Sequence, residues 1–194
     1  MFLVLGLGNP GRKYSQTRHN VGFLVGDRLA ERAGESADKK QLGALVAKVL
    51  IANQPGIVAK PQSFMNLSGQ PAASLKGYFK VENSNIIVVH DELDIPFGDV
   101  RVKVGGGHGG HNGIRDINKH VGNDTVRVRV GVGRPPEGWQ TADYVLGKWS
   151  PAESQRVPGI VDDACDAIEA ILRDGVMAAM NVFNTRGRVP GTGG

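Results

Sequence analysis

A single cysteine, Cys165, leaves the chain unable to form an internal disulfide. It falls on the apolar stripe of a predicted helix and reads as a buried structural thiol, not as a nucleophile. Aromatic residues are only 6% of the sequence, too few to build the stacking surfaces of common RNA-binding modules. No apolar run approaches the ~20 residues a membrane span needs. The chain opens directly into Phe2-Leu3-Val4-Leu5, without a basic start or a cleavage site. A soluble, cytoplasmic protein with no membrane partner is therefore expected. There is no Gly-x-Ser-x-Gly elbow, so nothing indicates a covalent acyl intermediate on serine.

Glycine, by contrast, is concentrated. Gly105 to Gly113 reads Gly-Gly-Gly-His-Gly-Gly-His-Asn-Gly, with six glycines in nine positions. Such a run cannot form a core, but its backbone can take φ > 0 and turn N–H groups toward an anion or a reacting group. Flexible linkers carry serine, not two histidines and an asparagine. Val100-Arg101-Val102-Lys103-Val104 precedes the run, and Val126-Arg127-Val128-Arg129-Val130 follows it after a short helical stretch. Both alternate as half-buried strands do. If they share a sheet, Arg101, Lys103, Arg127 and Arg129 stand together beside the glycine loop, as a phosphate platform. Arg101 to Arg134 carries a balance of +5 against +4 for the whole chain, so the basicity is local, as a polyanion footprint would be.

At 194 residues and 40% hydrophobic, the chain suits one globular domain. Phe2 to Leu7 reads as a buried strand and leaves Asn9 at its end, where α/β proteins place ligands. Thr17-Arg18-His19-Asn20 opens a helix whose apolar positions Val21, Leu24, Val25 and Leu29 share a face. His19 then lies in the first turn, where the helix terminus disfavours imidazolium and keeps a general base neutral. Leu45 to Ile51 and Ile57 to Ala59 read as a hairpin joined through Asn53-Gln54-Pro55-Gly56, after a loop from Glu35 to Lys40. Asn66 or Ser68 is a candidate cap for the helix carrying Leu75, Tyr78 and Phe79, and Phe64-Met65 reads as an apolar wall for a ligand. Ile86 to Val89 is the predicted central strand, ending in His90-Asp91-Glu92-Leu93-Asp94. A short helix is expected at Ala142 to Leu146, and a long one from Pro151 to Asp174 capped by Ser150. The strands and helices alternate, which predicts a single three-layer α/β/α domain with a mixed, mainly parallel sheet over residues 1–184. Residues 185–194 are expected to be a disordered tail.

Three chemistries fit these residues. In one, His19 is a general base held by Asp91, and Asn9, Asn66 and Asn112 supply amides that position substrate or steady an oxyanion. In another, His90, Asp91, Asp94, His108 and His111 gather a divalent metal, although His108-x-x-His111 fits no standard zinc spacing. In the third, the protein only binds RNA through its basic strands and glycine loop.

Gly6-Leu7-Gly8-Asn9-Pro10-Gly11, Tyr14 with Thr17-Arg18-His19-Asn20, Phe64-Met65-Asn66-Leu67-Ser68-Gly69, His90-Asp91-Glu92-Leu93-Asp94 and Gly105 to Gly113 resemble, in order and spacing, the bacterial peptidyl-tRNA hydrolase family. The likeness runs from about residue 2 to residue 183. It implies an enzyme that cleaves the ester between a peptide and the 3′ ribose of tRNA, working as a monomer without metal or cofactor. The resemblance makes His19 the base, Asp91 its support and Asn9 the residue that separates blocked from free aminoacyl ends. Asn66, Asn112 and His111 would bind substrate, with Tyr14, Phe64 and Met65 around the peptidyl end and the terminal adenosine of the CCA sequence. Lys103, Arg115 and Arg129 would meet phosphates of the acceptor stem. A site arranged to accept a neutral peptide N–H would leave the ammonium of a free aminoacyl end poorly solvated.

Overall fold

Strands and helices are interleaved along the chain in the computed structural model, which describes residues 1–186, although the second to fourth strands and the last three described helices follow one another directly. Most of the predicted tail lies outside the described residues. Seven strands form one sheet: β1 (Phe2–Gly6), β2 (Lys39–Gln41), β3 (Ala44–Ile51), β4 (Gln54–Pro61), β5 (Ile86–Glu92), β6 (Val100–Val104) and β7 (Val126–Gly131). Their spatial order is β2-β3-β4-β1-β5-β7-β6. The four central strands β4, β1, β5 and β7 run parallel, while β2 and β3 at one end and β6 at the other are antiparallel additions. The parallel strands take the centre because they are apolar on both sides; every residue of β1 is buried.

The helices are α1 (Val21–Arg32), α2 (Gly69–Phe79), α3 (Asn112–His120), α4 (Thr141–Val145), α5 (Pro151–Asp174) and α6 (Val176–Phe183). Val25 and Leu29 of α1, Ile168 of α5 and Phe183 of α6 pack with Val4, Val89 and Val128 on one face of the sheet. Leu75 of α2 and Ile114 and Ile117 of α3 pack with Leu3, Leu5 and Val88 on the other. These two cores make the three layers. Each fully buried leucine or isoleucine in them contributes about 1.5–3 kcal/mol of transfer free energy.

Because α1 and α2 leave β1 and β4 toward opposite faces, a crevice opens at the carboxyl ends of β1, β4 and β5. Gly22 brings α1 against that edge. A Cβ there would sit 2.5 Å from the backbone N and O of Leu7 and 2.6 Å from Val89 O, so only glycine allows this approach. His19 is thereby held over the end of β5. It lies in a 3₁₀ turn, Arg18–Asn20, directly ahead of α1 rather than within it.

Four local readings differ from the structure. The hairpin turns on Ala52 and Asn53, both at φ > 0, so Gln54 to Gly56 belong to β4. Part of the polar stretch before β3 is itself an edge strand, β2. Ser68 does not cap α2 through its side chain; its hydroxyl donates to Met65 O at 2.7 Å. Beyond Gly175 the chain forms α6, for which no helix was expected. The α5 prediction matches, with a full capping box between Ser150 and Glu153.

Candidate active site

Asp91 is the penultimate residue of β5, 3% exposed, between two imidazoles. His19 Nδ1 lies 2.8 Å from Asp91 Oδ2 and 3.0 Å from Oδ1, and His111 Nε2 lies 2.8 Å from Oδ1. The tautomers follow from the remaining contacts. His111 Nδ1 accepts the Gly113 and Ile114 N–H groups at 3.1 and 3.2 Å, capping α3, so its proton is on Nε2 and is donated to Asp91. His19 donates its Nδ1–H to the same carboxylate and leaves Nε2 as a free lone pair.

Burial pushes the Asp91 carboxyl up, but the two histidines outweigh it and hold the group well below the usual carboxylate range. Burial lowers His19, yet the charge of Asp91 and its hydrogen bond leave it raised overall. The helix terminus was expected to hold His19 neutral; a negative charge at contact distance wins over that partial dipole. His90 behaves oppositely. Burial drives it down to about 3, its Nδ1 lies 2.8 Å from Asp91 O, and its ring stacks edge-on against His111.

Asn9, buried after β1, is clamped from both sides. Its N–H donates to Asn20 Oδ1 at 2.8 Å, and Asn20 Nδ2 donates back to Asn9 O at 2.9 Å. Asn9 Oδ1 accepts the Met65 N–H at 2.7 Å, which leaves the side-chain Nδ2–H groups free. Asn9, His19, Phe64, Met65, Asn66, Asp91, His111 and Asn112 all line one cavity of about 700 Å³, whose remaining wall includes Leu93, Val145 and Leu146.

Tyr14, Lys103, Arg115 and Arg129 lie outside that lining. Tyr14 is in the turn Arg12–Tyr14 with the Lys13 ammonium 4.9 Å from its ring centroid. Arg115 is exposed on α3. Strands β6 and β7 do share a sheet face, with Arg101 opposite Arg129 and Lys103 opposite Arg127. Like charges in register repel, which suits a surface that receives an anion. Arg127, however, is 2% exposed and donates to Gly107 O and Asn118 Oδ1, both at 2.8 Å. It anchors the glycine loop instead of facing outward.

Of the metal-ligating set weighed on sequence, Asp94 pairs with Arg134, and His108 Nδ1 accepts the Gly110 N–H at 2.9 Å. Among the described residues, the trio that could hold an ion is His19, Asp91 and His111, within 4.8 Å of one another. Its contacts are hydrogen-bond lengths with ring N–H groups facing the carboxylate.

Sequence reasoning missed Asn20 as the holder of Asn9, and Arg18. The Arg18 guanidinium lies 4.2 Å over the Tyr144 ring, donates to Tyr144 O at 3.2 Å and pairs with Glu153 at 2.9 Å, tying the His19 turn to α4 and α5. Both residues flank His19 in sequence, and that adjacency was the only available signal.

A buried His–Asp pair with a free imidazole nitrogen, facing a cavity rimmed by amides, is the equipment of a hydrolase that activates water. Comparison with known proteins gives the family. Residues 3–190 match the peptidyl-tRNA hydrolase family model. A peptidyl-tRNA hydrolase of Nocardia farcinica is 52% identical over 181 residues, covering 92% of this chain and 94% of that protein. One from Leifsonia xyli is 50% identical over 192 residues, covering 96% and 98%. The crystal structure of peptidyl-tRNA hydrolase from Acinetobacter baumannii aligns with a TM-score of 0.89 at 36% identity, covering 95% of this chain and 94% of that one. The chain belongs to the peptidyl-tRNA hydrolase family.

Proposed function

We propose that this enzyme hydrolyses the ester joining a peptide, or an N-blocked amino acid, to the 3′ ribose of tRNA, and so frees tRNA from peptidyl-tRNA dropped by ribosomes. The observation that carries the mechanism is the His19–Asp91 contact at 2.8 Å, with His19 Nε2 left facing the cavity. His19 Nε2 takes a proton from water as the oxygen attacks the ester carbonyl. Asp91 steadies the imidazolium that forms, and the amides of Asn66 and Asn112 bind the substrate and hold it in place. Collapse expels the ribose hydroxyl, which receives the proton back from His19.

Asn9 separates blocked from free ends by a route different from the one its sequence position suggested. One lone pair of its oxygen is engaged by Met65 N–H while its Nδ2–H groups carry no partner among the described residues, so it offers donors to a peptide carbonyl. An ammonium, itself only a donor, cannot pair with those N–H groups. Phe64 and Met65 flank the peptidyl end, His111 orders the carboxylate, and Tyr14 stands near the adenosine of the CCA end. Lys103, Arg115 and Arg129 meet acceptor-stem phosphates. Residues 1–184 act as one catalytic domain, monomeric and cytoplasmic, where translation supplies the substrate; among the described residues no helix is long and apolar enough to cross a membrane.

The test is release of intact tRNA from N-acetylated aminoacyl-tRNA by wild type and His19→Ala, each with and without a chelator. Release by wild type alone, indifferent to the chelator, is expected. Abolition by the chelator would require the His and Asp cluster to be reread as a metal site; no release at all would favour a binding module.

A further inference from the structure

The two substrate amides stand on separate elements: Asn66 in the 3₁₀ turn Met65–Leu67 that leads into α2, and Asn112 at the first position of α3. What fixes the one against the other lies a turn behind them. Asp116 Oδ2 accepts the Gly69 N–H, the first of α2, at 2.8 Å. Gly69 follows Asn66 by three residues, and Asp116 follows Asn112 by four, on the same face of α3. The helices touch closely here. A Cβ on Gly69 would overlap the Asp116 carbonyl and sit 2.5 Å from His120 Nδ1, and a Cβ on Gly113 would sit 2.6 Å from Met65 Sδ. The Asp116 side chain is 14% exposed, and α2 has no cap from its own Ser68. A carboxylate from α3 therefore satisfies the N-terminus of α2, where a negative charge is favoured.

We infer that Asp116 is a positioning residue for substrate binding: it latches the N-termini of α2 and α3 together and so sets the spacing of Asn66 and Asn112 across the cavity. The inference rests on the substrate role given to those amides above. Asp116 touches neither His19 nor Asp91, so its loss should weaken binding and leave the chemistry of the base alone.

Steady-state hydrolysis of N-acetylated aminoacyl-tRNA by wild type, Asp116→Asn and Asp116→Ala tests this. Asp116→Ala should raise KM about 10-fold, the scale of one lost hydrogen bond to a charged group, with kcat within about threefold and the midpoint of the pH–rate profile unmoved. Asp116→Asn keeps an oxygen for Gly69 N–H and should recover most of the wild-type KM. In an Asn66→Ala/Asn112→Ala background, Asp116→Ala should add less than about twofold. A fall in kcat at constant KM, full additivity in that background, or no recovery in Asp116→Asn would overturn the latch while the hydrolase reading stands. A wild-type enzyme inert toward this substrate would overturn both.

Discussion

The active site and the ion-pair network between α1 and α5 use the same chemical groups and finish differently. In the network, Arg32 contacts Asp162, Asp166 and Glu169 at 3.0, 2.8 and 3.3 Å, and Arg28 contacts Asp162 at 2.8 Å. Every guanidinium there ends on a carboxylate, partly in water, and such pairs add little to stability. In the active site one buried carboxylate serves two imidazoles, and one ring nitrogen is left over, facing a cavity. Burial makes the difference matter: inside the protein an unpaired lone pair is a reactive group, whereas on the surface water would cover it. A dense cluster of charges is therefore no guide to function until its valences are counted.

Substitutions can break this contrast, beginning with the leftover nitrogen. His19→Ala should lower kcat ~10²–10⁴-fold, the range for a lost general base, with KM for N-acetylated aminoacyl-tRNA nearly unchanged. Asp91→Asn should cost on the order of 10²-fold and also move the pH profile. Because Asp91 raises His19, the neutral base dominates only above a pKa higher than the ordinary histidine value, and wild-type kcat/KM falls as pH drops through it. Without the carboxylate, burial alone acts on His19, so the acidic limb should shift to lower pH; an unmoved limb would show that another group titrates. Asn9→Ala should keep turnover of N-acetylated substrate and gain activity on free aminoacyl-tRNA, which a comparison of the two substrates reads directly. Arg129→Ala should raise KM and flatten its dependence on salt, by a slope of about 0.9 for one lost phosphate contact; unchanged KM and slope would remove Arg129 from the platform. Last and smallest, Asp162→Ala in the network should leave turnover alone and lower Tm slightly, with added salt erasing the difference.

Much of this was readable in the residues. The unbroken Ile86 to Val89 run gave the central strand and placed Asp91 at its end, and the Ser150 and Pro151 signals marked the start of α5. Each is a local pattern with one physical solution. What escaped depended on the partners that folding brings up, not on local composition. β2 is three polar residues that become a strand only because β3 offers an edge. Arg127 alternates like its neighbours, yet the carbonyl of Gly107 folds back over it. The pairing of His19 with Asp91 was expected from chemistry, but the second imidazole on the same carboxylate was not. No spacing in the sequence reports that β5 and the glycine loop converge there.

That second imidazole has a consequence for the enzyme as a machine. One nitrogen of His111 closes the end of α3, where the glycine loop stops, and the other holds the carboxylate that supports the base. The ring is a rigid plate, so it cannot turn to release one contact while keeping the other. The loop that borders the substrate entrance and the proton affinity of His19 are thus geared to a single part, and neither can be retuned by evolution or design without the other answering.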